Sequence, residues 1–493
     1  MRDRAALLSA RLRGVHPLIA LGGIGAASAV LYLSATLHGR FRPGRMEPFF
    51  PIFFALFALY AVAVIISLRQ PCVPLTRRAA VVIVGFGVGF QALLIPSVPT
   101  LSDDMYRYVW DGRVQGNGIN PYRFRSNAPQ LSHLRDDTIW ASMNRIDANT
   151  LYPPFAQMVF AAAWRIVGDS VAGFKLVMIS ATLIGGWLLW RLLAVLGESP
   201  YRLVVYLWSP LLVIEVAHAA HVDALYLPLL VGALLVRVRA PQNRPDWRAE
   251  AGIGVLVGLA TLVKLFPVFL FAPLWSVRDA SGKRRWRLAL LVALLVTVAL
   301  GYAVYYAPGV NLLGFLPTYG REFFNIGPLP RALINVALAN PSACAVVYRT
   351  FPGFRTPCWA IPNNYGLFVL VGLFSLGCWL FPARTARQAI SRCAVPLGLY
   401  LLINHNLFSW YALPLIPLVA LDLKAGRWLG FAITPALAWG LFTGTLALSY
   451  VWFVNSHMPD WAVTLEFWPV YGLLLLSAIR AMVDVWRRRT RAT

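Results

Sequence analysis

Long apolar runs separated by short polar connections recur from one end of the chain to the other, near residues 17–36, 48–68, 79–96, 171–196, 202–217, 223–238, 286–307, 363–382, 428–453 and 462–485. Two shorter, broken apolar pairs cover 252–276 and 393–421. A helix of about 20 apolar residues crosses a bilayer, so the pattern predicts a polytopic membrane protein. Residues 1–16 carry four arginines ahead of the first run, as a secretory signal does. The run is long for a signal core and has no small-residue cleavage site, so it is read as a span.

Composition agrees with the pattern. The 493 residues are 59% hydrophobic and 13% charged, more apolar surface than one water-soluble core could cover. A net charge of +24 invites a nucleic-acid reading. The basic residues, however, are dispersed among short loops between apolar runs, which is the signature of membrane orientation. No nucleic-acid partner is expected.

Placing the basic loops in the cytoplasm fixes the topology. The clusters are Arg2, Arg4, Arg11 and Arg13; Arg69, Arg77 and Arg78; Arg237, Arg239, Arg244 and Arg248; Arg278 and 283–287; Arg384, Arg387 and Arg392; Lys424 and Arg427; and Arg480 with the C-terminal arginines. All share one side if the N-terminus is inside. Parity then allows 155–196 to cross once, which makes 155–167 a helix lying along or dipping into the outer face and 171–196 the crossing. It also requires 252–276 to rise and return as a short hairpin with Lys264 at its turn. The outer segments are 97–154, 308–362, the turns at 218–222 and 404–409, and 454–461. Arg40, Arg42 and Arg45, in the loop at 37–47, break the rule.

Chemistry concentrates in the first outer loop. Of 20 acidic residues in the chain, Asp103, Asp104, Asp111, Asp136, Asp137 and Asp147 fall there. The adjacent carboxylates of Asp103 and Asp104 follow directly on a span, where they could serve as a base toward a head group held by the bilayer. Capping a helix that begins at Met105 is the competing assignment, and one carboxylate can cap while the other works. The GNGINPY stretch at 116–122 is a turn signal.

The stretches SDDMYRYVWDGRVQGNGINPYRF at 102–124, LYPPFAQMVF at 151–160 with GDS at 168–170, HVDAL at 221–225, KLFP at 264–267 and HNLFSWYALPLIPL at 405–418 resemble, in that order, the GT-C class of membrane glycosyltransferases. The nearest likeness is to bacterial polyprenyl-phosphomannose-dependent mannosyltransferases. The resemblance implies an all-α bundle of about 12–14 transmembrane segments over 1–493, with a long first periplasmic loop (97–154), a second periplasmic segment (308–362) and a juxtamembrane helix. It implies an inner or plasma membrane enzyme active on the non-cytoplasmic face, with mannose as the hexose. Its partners are then a polyprenyl-phosphate sugar donor, a glycan or lipid-linked acceptor, and membrane lipids. It maps the catalytic base to Asp103, with Asp104 beside it.

A sugar on a lipid phosphate already carries a good leaving group, so one base suffices for an inverting attack and no glycosyl-enzyme is required. The developing phosphate charge calls for cations, and Lys264, Arg321, Arg107 and Arg113 lie on the outer side. Lys264 could equally snorkel to the interface, and each arginine could simply be solvated or meet lipid head groups. His218, His221 and Asp223 are metal-ligand types, but spacing i, i+3, i+5 does not share one helical face. Hydrogen bonding to sugar or phosphate, or a structural network, is the simpler role, and no cofactor is called for. His405, Trp410 and Tyr411 lie on another outer turn, as an interfacial belt or a sugar platform.

Three further expectations follow. Cys344 and Cys358 both fall in the outer segment 308–362, where thiols oxidise, and are expected to form a disulfide. A lipid or sugar transporter is the first alternative, but no internal repeat marks two halves. A lipid-linked glycan polymerase or ligase is the second.

Overall fold

The computed structural model describes residues 17–39, 46–241, 246–279, 281–283, 287–320, 322, 327–350 and 361–490. Within them the chain is helical, apart from a four-residue strand at Ala425–Trp428. Helices α1 (Pro17–Leu37), α2 (Met46–Leu68) and α3 (Arg77–Leu94) come first. The loop at 97–154 then holds α4 (Asp104–Gly116), and α5 (Pro154–Val167) follows it. After them come α6 (Val171–Leu196), α7 (Tyr226–Arg239), α8 (Trp247–Thr261) and α9 (Leu288–Ala303).

Helix ends sit where side chains can satisfy backbone groups left without an intrahelical partner. Thr76 accepts from Ala79 N at the start of α3, and Ser170 accepts from Gly173 N at the start of α6. Helix α6 stops at Gly197, whose left-handed backbone (φ +68°) closes the last turn at no steric cost. Helices appear at both 171–196 and 155–167, where a crossing and an outer helix were expected, the latter one residue longer.

Six helices among the described residues are long and apolar enough to cross a membrane: Pro17–Leu37, Pro48–Leu68, Arg77–Leu94, Val171–Leu196, Pro435–Asn455 and Asp460–Arg487. The expected span at 202–217 is instead a pair, Pro200–Leu207 and Pro210–His218, bent by 54°. Pro210 has no amide hydrogen to continue the ladder, and this breaks the helix. Of the other expected spans, those at 223–238 and 286–307 are the shorter helices Tyr226–Arg239 and Leu288–Ala303, and the one at 363–382 is the helix Ile361–Leu380. Large apolar side chains stand exposed on these helices, including Ile19, Val81, Ile184, Leu295 and Leu475. On a multi-span membrane protein these are the lipid-facing positions.

Helices α6, α7, α8 and α9 pack one against the next. At the α8–α9 contact a Cβ on Gly254 would lie 2.3 Å from Leu290 O and one on Gly258 2.9 Å from Thr297 Cβ. Small residues four apart thus let the two backbones approach closely, the usual means of helix association in lipid. Among the basic-loop residues Arg237 is buried and donates to Glu250 at 2.6 Å. Arg287 bonds the same carboxylate. The 252–276 hairpin is α8, a break at 262–265 and the short helices Phe266–Leu270 and Phe271–Trp275, and Lys264 lies in the break as parity requires.

Candidate active site

The loop at 97–154 is built around a buried polar knot on α4. Arg107 Nε donates to Asp111 Oδ1 at 2.9 Å, while Asp111 Oδ2 accepts from Thr150 Oγ1 at 2.6 Å and Gln157 Nε2 at 2.8 Å. One side chain of α4 thereby holds both the loop's return and the start of α5. Arg113 donates to Asp136 at 2.7 Å, Asp169 at 3.0 Å and Leu134 O at 2.8 Å. Burial works against the Asp136 charge, but the Arg113 bond and the amide of Trp140 hold its carboxyl well below the usual range. Helices α4 and α5 touch at Gly112, where a Cβ would lie 2.6 Å from Phe160 O.

That knot presents the acid pair to a cavity of about 660 Å³ lined by Asp103, Asp104, Asn144, Arg145, Tyr152, Asp223, Lys264, Tyr319, Trp410 and Tyr411 among others. Helix α4 begins at Asp104, and Asp103, in the capping position, makes no side-chain cap bond. The Asp104 amide donates instead to Ser102 Oγ at 3.3 Å. Capping is therefore not what either carboxylate does. Both accept from the Asn144 side-chain amide. Asp103 is open to the cavity while protein surrounds most of it. Burial, and then the charge of Asp104, push its carboxyl up to about 6, against the opposing pull of the Asn144 bond.

A second charged pair lines the same cavity. Lys264 Nζ donates to both oxygens of Asp223, at 2.8 and 3.0 Å, and stands 3.8 Å from the centroid of the Tyr411 ring. Tyr226 OH donates to Asp223 at 2.9 Å, and Tyr411 OH meets Tyr319 OH at 2.7 Å. The Val222 amide donates to Tyr108 OH at 3.3 Å, which ties this turn to α4. Apolar residues of the lining, such as Leu265, Phe269, Leu367 and Phe368, continue the cavity as a greasy wall.

Of the residues singled out from sequence, Asp103, Asp104, Asp223, Lys264, Trp410 and Tyr411 line this cavity. Arg107 and Arg113, singled out as phosphate-binding candidates, do not line it; both guanidiniums are engaged in the ion pairs that shape the loop. His218 also lies off the cavity, where it bonds Ser97 Oγ at 2.7 Å and accepts from Thr100 N at 3.3 Å. His405 bonds Gly320 O at 3.1 Å and is likewise outside the lining. His221 is fully buried, with its ring stacked on Trp410 at 3.9 Å. Arg321 lies outside the described residues.

The two histidines and Asp223 diverge, and among the described residues no three His, Cys, Asp or Glu side chains are grouped to hold a metal ion. Asn144, Arg145 and Glu215 were not legible as site residues. The first two sit in an irregular loop with no periodic signal, and Arg145 lines the cavity while forming a two-pronged ion pair with Glu322, 2.7 Å at each contact. Glu215 did carry a signal, as a lone acid within an apolar run. Cys344 is disulfide-bonded, whereas Cys72, Cys378 and Cys393 are free. Cys358, the expected partner, lies outside the described residues.

A sequence model of the family described as "Alpha-(1->6)-mannopyranosyltransferase, N-terminal domain" matches residues 16–277, a stretch that includes the acid pair, Asp223 and Lys264. The chain is 27% identical over 355 residues to "Alpha-(1->6)-mannopyranosyltransferase A" of Mycobacterium tuberculosis, covering 68% of this chain and 63% of that protein. It is 23% identical over 385 residues to the protein of the same name from Corynebacterium glutamicum, covering 71% and 73%. The match thus spans less than two thirds of the first relative's length. No solved structure matches the chain.

Proposed function

Because the chain belongs to the alpha-(1->6)-mannopyranosyltransferase family, we propose that it is an inverting membrane mannosyltransferase, acting as one unit over its whole length. The donor is a polyprenyl-phosphate mannose, the acceptor is a hydroxyl of a glycan or lipid-linked sugar, and the site faces away from the cytoplasm. The observation that carries this reading is one cavity lined by a carboxylate pair, a fixed ammonium and an apolar wall.

Asp103 is the base. It accepts the acceptor's hydroxyl proton as that oxygen bonds the anomeric carbon and the carbon–oxygen bond to the lipid phosphate breaks; the electron pair leaves with the phosphate, and the configuration inverts. A carboxyl near pH 6 is mostly ionised at neutral pH yet basic enough to share the proton in the transition state. Lys264 is the cation for the departing phosphate. Asp223 and the Tyr411 ring hold its ammonium in place, so little reorganisation is needed as charge develops. The wall around Leu265, Phe269 and Phe368 suits a polyprenyl chain, and Trp410 and Tyr411 offer ring faces to a sugar.

The test is incubation of the purified protein with a panel of polyprenyl-phosphate sugars and an acceptor, reading released polyprenyl phosphate. Release is expected from the mannose donor, and Asp103→Asn should abolish it while donor binding persists. No release from any single-sugar donor, or full turnover by Asp103→Asn, would sink the reading.

A further inference from the structure

Behind the acid pair lie two buried ionisable side chains, His221 and Glu215, in a row with Asp104. His221 Nδ1 is 3.9 Å from Asp104 Oδ2, and His221 Nε2 is 3.3 Å from Glu215 Oε2. The ring is fully buried, and neither nitrogen has a hydrogen-bond partner at conventional geometry. Each nitrogen looks at a carboxylate at ion-pair range. Among the described residues, His221 is the one basic side chain within ion-pair distance of Asp103 or Asp104, and also the one that pairs with Glu215.

Glu215 is built to remain an acceptor. Only 1% exposed, it takes the hydroxyls of Ser409 at 2.5 Å and of Tyr450 at 3.0 and 2.9 Å on its two oxygens. Both oxygens are thus supplied with hydroxyl donors, and the His221 ring stands at ion-pair range of Oε2. The backbone is shaped to aim the ring. Glu215 lies on a π-turn, Ile214–His218, a rare form that is frequent at functional sites. Ala220 follows in the left-handed region (φ +57°), which an alanine rarely adopts without surrounding structure to enforce it. His221 N then donates back to Glu215 O at 2.9 Å, and Trp410 covers one ring face.

We propose that His221, braced by Glu215, is a positioning residue that holds the Asp103–Asp104 pair in its charged, proton-accepting form. The inference rests on the reading of Asp103 as the base. Two carboxylates bridged by one amide in a largely apolar cavity repel each other and tend to share a proton, which would silence a base. A proton on the imidazole between Asp104 and Glu215 opposes that sharing. The charged and titratable groups around His221 are Asp103 and Asp104 at the start of α4, Glu215 and His218 from the π-turn, Tyr450 on Glu215, and Asp223 with Lys264 beyond; His218 faces away, toward Ser97 and Thr100.

The experiment is the pH dependence of kcat/KM for His221→Gln, Glu215→Gln and Asp103→Asn in the full chain, with polyprenyl-phosphate mannose as donor. Gln at 221 cannot carry the charge. The acid limb should move up by about one pH unit, which from a midpoint near 6 lowers kcat/KM at neutrality by about twofold and by about tenfold on the acid side. Glu215→Gln is nearly isosteric and carries the test if His221→Gln does not fold; its limb should move in the same direction. A folded variant whose kcat/KM falls equally at every pH, with the limb at the wild-type position, overturns the inference and makes the row merely structural. If Asp103→Asn is inactive and the limbs stay put, only this inference falls. If Asp103→Asn is active, it falls together with the base.

Discussion

Lys264 donates to both oxygens of Asp223, 41 residues earlier in the chain, at 2.8 and 3.0 Å. The pair sits on the wall of the cavity that holds Asp103. It answers the question that sequence left open between a lysine snorkelling to the interface and one facing the site. It also changes what removal of the lysine should do. The Asp223 side chain is only 1% exposed, so a variant without the ammonium leaves a buried charge with no counter-ion.

Lys264→Ala should therefore lose both stability and donor affinity, the first by about 3–5 kcal/mol as for a broken buried pair. The double variant Lys264→Met with Asp223→Asn removes both charges and should recover most of the melting temperature in detergent without recovering donor binding. Equal recovery of both would mean that the pair is structural and that Lys264 does not meet the phosphate.

Rate should depend on pH through Asp103. Only the ionised carboxylate accepts a proton, and burial with the Asp104 charge places its titration near 6. Hence kcat/KM, which reports the free enzyme, should rise as pH rises through about 6 and flatten above it. Asn144 donates to both carboxylates and favours the ionised form. Asn144→Ala should move the rise to higher pH, and an unchanged or lower midpoint would contradict this arrangement.

Asp111→Ala tests the knot beneath the site. Its carboxylate takes bonds from Arg107, Thr150 and Gln157, and Arg107 is 5% exposed. The loss strands a buried guanidinium and should cost about 3–5 kcal/mol, seen as a lower unfolding temperature. Asp137→Ala, at an exposed position in the same loop, should be close to silent. Similar losses at both positions would mean that the knot does not hold the loop.

Cys344 is disulfide-bonded. Peptide mapping without reductant should recover it joined to Cys358, the other cysteine of the segment expected outside. A loop of about 15 residues closed this way contributes about 3 kcal/mol in the chain-entropy model, so Cys344→Ser should lower the unfolding temperature under oxidising conditions and match wild type under reductant. A linkage to another cysteine would refute the pairing.

The sequence alone determined where the long apolar helices run. Crossing is decided by the mean polarity of about 20 consecutive residues, a local quantity, so the boundaries of Val171–Leu196 were readable in advance. Charge parity, equally local, placed a helix at 155–167 and Lys264 at a turn. The acid pair was readable because carboxylates are scarce in such a chain and these two adjoin a span. The tertiary structure decided what each polar side chain faces. Arg113 was an available cation in the sequence; in the fold it is fixed by Asp136 and Asp169, 23 and 56 residues away. Glu215 meets Ser409 and Tyr450 across 194 and 235 residues, and His221 comes between it and Asp104 only because the π-turn and Ala220 redirect the backbone. Contacts over such separations leave no periodicity in the chain. They form where burial demands that each charge find a partner, and which partner is at hand depends on how the helices pack.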